Sequence, residues 1–362
     1  RVKALALMSK QGGVGFSIDA EQCDRREISM DIFEALARDE ELAGWDGLGF
    51  VLQSYHKRAY LVADWLAVLA RETNRHFMVR LVKGAYWDGE IKHAQDQGLA
   101  DYPVFTRKSH TDVSYQVCAE RLLAAQDVIY PQFATHNAYT VALVMELTDG
   151  SQSFEFQRLH GMGHLLYDEV LDKSPGVAVR VYAPVGNHKD LLPYLVRRLL
   201  ENGANSSFVN RFLDARVPPQ ELLRDPVEEA LAQPAGRHPG IPAPRLLYRD
   251  EPAPWLNARG IDLADPLEVA RLLPKLALPA DAAVRAAPIV GGQWWQGEAQ
   301  TVTSPAHFET VVGHVVEATP DAIERALALA AAAQPGWDAA GAEVRAGCLE
   351  RLADLLEQHC ES

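Results

Sequence analysis

The chain has 362 residues, 48% of them hydrophobic, and a formal net charge of -14; that is enough length and apolar content for two domains with cores of their own. The acidic balance, with no stretch that gathers Lys and Arg away from acids, argues against nucleic acid or anionic lipid as a simple electrostatic partner. No apolar run approaches the ~20 residues of a membrane span, the N-terminus lacks a signal-peptide pattern, and Cys23, Cys118, Cys348 and Cys360 show no CxxC spacing, so reduced thiols in a cytoplasmic compartment are expected.

In chain order, short β-branched or aromatic runs alternate with amphipathic stretches from residue 14 to about residue 203, the pattern of βα units on a parallel sheet. The alternation predicts strands over 14–18, 48–53, 77–83, 129–136, 154–160 and 177–182, and helices near 24–38, 58–73, 112–125, 138–147, 164–172 and 189–202. Each strand ends at polar or reactive groups: Asp19, Gln53, Lys83, His136 with Asn137, Gln157 to His160, and Tyr182. In βα barrels and doubly wound sheets alike, function collects at the carboxyl ends of strands.

The last of these helices carries the most information. At 100° per residue, Leu191, Leu192, Leu195, Val196, Leu199 and Leu200 form a stripe expected to be buried, while Tyr194, Arg197, Arg198 and Glu201 gather opposite. Glu201 falls within i+3 and i+4 reach of both arginines. Asn187 is a candidate N-cap and Gly203 a candidate stop. Such a face is usually just solvated, yet two adjacent guanidinium groups also make a carboxylate clamp.

From Asp214 to Pro254 prolines accumulate, which reads as an extended linker and a domain boundary. Beyond it, 301–315 reads as a hairpin, Thr319-Pro320 as an N-cap with proline at the first helical position, and the remainder as Ala-rich helices reaching Cys360.

Arg80-Leu81-Val82-Lys83-Gly84-Ala85-Tyr86-Trp87, Ala134-Thr135-His136-Asn137, Leu159-His160-Gly161-Met162-Gly163, Tyr182-Ala183-Pro184-Val185-Gly186 and the Arg197-Arg198 helix together resemble the proline dehydrogenase domain of the bacterial proline utilization A family. The resemblance runs nearly continuously to about residue 215, and 285–362 resembles the opening of that family's L-glutamate-γ-semialdehyde dehydrogenase domain. It implies an α/β fold: a (β/α)8 TIM-like barrel over 1–213, of which six of eight units are readable, a linker over 214–284, and the beginning of an aldehyde-dehydrogenase-like α/β domain over 285–362. It further implies oxidation of L-proline to Δ1-pyrroline-5-carboxylate by FAD, electrons passed to membrane quinone at the inner face of the cell membrane, and a homo-oligomeric parent chain. NAD would serve the second activity at a site outside this chain.

By the same resemblance, Arg197 and Arg198 bind the substrate carboxylate, Glu201 holds that pair, Tyr86, Leu159 and Tyr182 pack around the proline ring, and Asp19 supports the Tyr182 region. The flavin would lie against Gln53, Arg80, Val82, Lys83, Gly84, Ala85, Trp87, Thr106, Arg107, Lys108, Thr135, His136, Asn137, Gln157 and Phe208. Arg107 and Lys108 suit a pyrophosphate, and Arg80 or Lys83 would stabilise charge that reduction places on the ring. There is no GxGxxG, so a Rossmann-type dinucleotide site is not expected.

Two other chemistries fit a barrel. His136, His160 and His164 stand at strand ends as the ligands of metallohydrolase barrels do, but the accompanying carboxylates are missing apart from Asp19, and no metal site is expected. Lys83 could form a Schiff base in a lyase, a chemistry that leaves the double-arginine helix less well explained. With two strands unread, the barrel is expected to be completed upstream of Arg1 and the second domain beyond Ser362; Cys348 and Cys360 are not its nucleophile.

Overall fold

A computed structural model describes residues 1–203, 218, 224–233, 236–252, 254–276 and 284–360. The chain divides into two compact units, Arg1–Pro266 and Leu267–Ser362.

The first unit is built on a six-stranded all-parallel sheet in sequential order: β1 (Phe16–Ile18), β2 (Leu48–Gln53), β3 (Phe77–Val82), β4 (Ile129–Ala134), β5 (Glu155–Leu159) and β6 (Ala178–Tyr182). Helices α1 (Val2–Gln11), α2 (Arg26–Ala37), α3 (Ala59–Thr73), α4 (Trp87–Asp96), α5 (Lys108–Ala124), α6 (Ala138–Leu147), α7 (His164–Lys173) and α8 (His188–Gly203) intervene. This is the half-barrel that repeated βα units give when every crossover has one hand. One face of the strands packs on the helices: Phe50, Phe77, Val79, Leu81, Phe133 and Phe156 are buried against Phe33, Leu66, Tyr115, Leu122 and Tyr167. The alternate residues, Val51, Arg80, Gln132, Glu155 and Ala178, form one hydrogen-bonded row across the inner face.

All six expected strands and the six expected helices are present, with β1 and β3 to β6 shorter than their apolar runs. Lys83, His136 and His160 leave the ladder and carry the chain into the loops above it. Among the described residues up to 203, two helices escaped the pattern. α1 precedes the first strand, and α4, with the sequence WDGEIKHAQD, buries only Glu90, Ile91 and Ala94, too narrow a face to show as a stripe.

The stripe on α8 is a correction. Asn187 caps the helix as expected, accepting from the Lys189 and Asp190 amides at 3.0 and 3.2 Å, but Leu192, Leu195, Val196 and Leu199 are exposed. Among the described residues α8 follows β6, which pairs with β5 alone, whereas α3 packs against β2, α2 and α5 in mid-sheet.

The described residues between 226 and 260 belong to the first unit. Helix α9 (Pro226–Leu231) is capped by Asp225, whose side chain accepts from the Val227 amide at 2.8 Å. Gly98, at φ +60, and Gly260 approach so closely that a Cβ on Gly260 would lie 1.7 Å from the Gln97 carbonyl oxygen.

The second unit holds most of α10 (Pro266–Leu276), a small sheet of β7 (Val284–Ala286), β10 (Ala299–Thr303) and β11 (Val311–Val316), and the ribbon β8 (Ile289–Val290) with β9 (Gln293–Trp294). β10 and β11 form the expected hairpin. Thr319 caps α11 (Pro320–Ala339) by accepting from the Ala322 amide at 3.2 Å, and α12 (Ala342–Gln358) follows.

Candidate active site

The site lies where the parallel strands end. Register pairs Gln53 with Val82, Ala134 with Gln157, and Leu159 with Tyr182, so residues far apart in the chain share one rim. Arg80 ties three of the strands: its Nη1 is 3.6 Å from Asp19 Oδ1 after β1, and its guanidinium lies 5.2 Å from the ring centroid of Tyr182 on β6. Arg80 thus lies between the Asp19 carboxylate and the Tyr182 ring.

Gly84 turns the chain out of β3 at φ +134, and a Cβ there would fall 2.4 Å from the Tyr55 ring. The Tyr55 ring thus lies where a side chain at this position would begin. The turn delivers exposed Ala85 and half-buried Tyr86 to the head of α4, where Trp87 donates to the Phe105 carbonyl at 2.8 Å. Beside them an open cleft of about 480 Å³ is lined by Gln22, Asp24, Arg25, Ala85, Tyr86 and Glu90, among others.

Lys83 forms an ion pair with Asp112, and Lys108 donates to the same carboxylate at 2.7 Å. Burial alone would raise Asp112, but the two ammonium groups hold it below the usual carboxylate range. A lysine so engaged is poorly placed to act as an amine nucleophile.

His136 accepts at Nε2 from the Leu159 amide at 3.1 Å, which places its proton on Nδ1. Burial, with Arg198 and Arg158 nearby, pulls it down to about 4. A Cβ on Gly163, at φ +69, would sit 2.9 Å from the imidazole. Thr135 accepts at its hydroxyl from the Asn137 amide at 3.1 Å, and Asn137 caps α6 by accepting from Thr140 at 3.3 Å. Arg198 stacks over Tyr194, 5.2 Å from its centroid. The side chains of Arg197 and Glu201, and the whole of Phe208, lie outside the described residues.

Thr106 and Arg107 are gripped by the segment after α9. The Thr106 hydroxyl accepts from the His238 amide at 2.9 Å, and Arg107 donates to Gln233 Oε1 and, at 3.1 Å, to the Arg237 carbonyl. Tyr102 donates to the Pro242 carbonyl at 2.7 Å.

Two further functional candidates emerge from the fold. Asp112 is legible in the sequence only as the i+4 partner of Lys108. Glu155 is hidden between Phe154 and Phe156 in an apolar strand; it is 2% exposed and accepts from Gln132, Gln157 and Arg180.

The profile of the proline dehydrogenase family matches residues 1–211, and that of the aldehyde dehydrogenase family residues 294–362. The chain belongs to the proline dehydrogenase family. It is 48% identical over 374 residues to the bifunctional protein PutA of Salmonella typhimurium, covering 100% of this chain and 28% of that protein. It is likewise 48% identical over 377 residues to PutA of Escherichia coli, again covering 100% of this chain and 28% of the relative. A crystal structure of a mutant Bradyrhizobium japonicum proline utilization A superposes with a TM-score of 0.80 at 44% identity, over 99% of this chain and 33% of that one. The chain thus spans little more than a quarter of the curated relatives it matches, and the lyase and hydrolase alternatives are not favoured.

Proposed function

We propose that this chain supplies most of the flavin-binding barrel of a proline dehydrogenase, which oxidises L-proline to Δ1-pyrroline-5-carboxylate within a longer bifunctional protein. Residues 1–213 are assigned to the barrel, 214–284 to the connector and 285–362 to the start of a domain that oxidises L-glutamate-γ-semialdehyde to glutamate with NAD. Membrane quinone as acceptor, a homo-oligomeric parent and a place at the cytoplasmic side of the membrane follow from the same family reading; among the described residues no helix is long and apolar enough to cross a bilayer.

The residues fit FAD. Buried Arg80 Nε, Arg107 Nε and Gln132 Oε1 lack hydrogen-bond partners among the described residues, which is the signature of polar groups awaiting a ligand. Arg80, Lys83, Gln53 and Gln157 would hold the ring system, and Arg107 with Lys108 the phosphates. When bound, the flavin supplies the two-electron acceptor that no side chain offers.

The protein's own task is orientation. Arg197 and Arg198 clamp the carboxylate, while Tyr86, Leu159 and Tyr182 enclose the ring and keep water from the reacting carbon. Arg80, fixed by Asp19, keeps Tyr182 in place. No strong general base is required, because the free lone pair of the substrate amine drives loss of hydride; the substrate nitrogen must be deprotonated first. His136, neutral above pH 5 and accepting the Leu159 amide, holds the β5 loop rather than moving a proton.

The observation that carries this reading is the Asp19, Arg80, Tyr182 grouping at strand ends, in a chain of this family. Its test is the visible spectrum of the full-length protein before and after anaerobic addition of L-proline. Flavin absorbance bleached by proline is expected. A colourless protein that cannot be reconstituted with FAD overturns the proposal.

A further inference from the structure

The inner face of the sheet carries a buried polar group that the reaction above does not use. Glu155, at the start of β5, is 2% exposed. Both its oxygens are taken by Arg180, whose Nε and Nη2 donate to Oε1 and Oε2 at 2.7 Å each. The same Oε1 also accepts from Gln132 Nε2 at 2.9 Å and Gln157 Nε2 at 2.7 Å. The arrangement is decisive because of what a carboxylate can do: it only accepts. An amide side chain is free to turn either end toward a neutral partner, but beside Glu155 each glutamine must offer its NH₂. The carbonyl oxygen is then the end left for something else. For Gln132 that oxygen is buried and unpartnered among the described residues, and Gln132 pairs in register with Arg80, whose Nε is in the same condition. Buried polar atoms of this kind are rare unless a ligand completes them.

We propose that Glu155 is a positioning residue that locks Gln132 and Gln157 with their carbonyl oxygens toward the site, so that the inner face presents acceptors beside the Arg80 donor. The complement of such a face is a flat heterocycle with an imide edge, a ring N–H flanked by carbonyls. The inference rests on the flavin reading above and deepens it: it assigns Glu155, through the glutamines, the recognition of the N3–H edge of the isoalloxazine. Arg180 fixes the Glu155 carboxylate by its bidentate bond, and the glutamines shield it from water.

The test compares FAD with N3-methyl-FAD, which lacks that N–H, by fluorescence titration of the flavin-stripped full-length protein. Wild type should prefer FAD by about tenfold or more, the size of one buried hydrogen bond. Glu155→Gln, which can donate as well as accept, should lose that preference while binding N3-methyl-FAD nearly as well as before. A variant carrying Gln132→Leu and Gln157→Leu leaves the Arg180 pair intact and should lose the preference too, so the result stands even if Glu155→Gln does not fold. A merely structural role for Glu155 would weaken both flavins equally. Tight FAD binding with no preference in wild type, or a preference undiminished in the variants, overturns the inference and leaves the proposed function standing. Failure of wild type to bind either flavin overturns both.

Discussion

Helices α3 and α8 carry similar apolar stripes and meet opposite fates. In α3 the stripe is closed off: Val62, Ala63, Leu66, Leu69 and Ala70 are buried between β2, α2 and α5. In α8 Leu192, Leu195, Val196 and Leu199 stay exposed, and the informative residues are the polar ones. Periodicity states which face of a helix is apolar; neighbours decide whether that face stabilises anything. One helix therefore holds the fold, and the other carries a proposed substrate contact at its outer edge.

That contrast can be broken by measuring binding and stability side by side. Arg198→Met should raise the Michaelis constant for proline by two powers of ten or more, about the worth of a charge-assisted carboxylate contact, with FAD retained and stability changed by no more than about 1 kcal/mol. Loss of flavin with unchanged proline affinity would contradict the assignment. Leu66→Ala in α3 should do the reverse, lowering unfolding free energy by about 3 kcal/mol in denaturant titrations, while Leu199→Ala in α8 should stay within about 0.5 kcal/mol. Equal losses at the two positions would dissolve the distinction.

Smaller effects refine the picture between those helices. Gly84→Ala sets a Cβ 2.4 Å from the Tyr55 ring at φ +134, and should cost about 2–3 kcal/mol as well as displacing Tyr86. His136 and His56 are held neutral, at about 4 and about 3, by burial first. Both lie below the unfolded value near 6.5, so the unfolded chain binds more protons between those limits. The stability they contribute is complete above about pH 6.5 and is lost as pH falls toward 4, with a slope approaching 1.4 kcal/mol per pH unit for each. Denaturation midpoints followed from pH 7 to 4.5 should show that decline, and His136→Asn should flatten part of it. Tyr102→Phe removes the bond to the Pro242 carbonyl, and should cost about 1 kcal/mol; a larger fall in flavin retention would tie the segment gripping Arg107 to the cofactor site.

The order of βα units, the identity of the strand ends and the capping of α8 and α11 were all legible in the chain, because each depends on local periodicity or on a side chain reaching an amide three residues away. The family motifs named the rim residues for the same reason: they stand beside one another in sequence, as in Lys83-Gly84-Ala85-Tyr86-Trp87. What tertiary structure alone decided was pairing at a distance. Glu155 meets Gln132 and Arg180 only through the registers of β4, β5 and β6, and Arg80 meets Asp19 and Tyr182 only because the strands share one inner face. The packing of the Tyr55 ring, from just after the preceding strand, against Gly84 is likewise a contact no local pattern encodes. The exposure of Leu192, Leu195, Val196 and Leu199 on α8 belongs to the same class, since the neighbours that cover a helix face are set by the fold and no stripe of leucines encodes them.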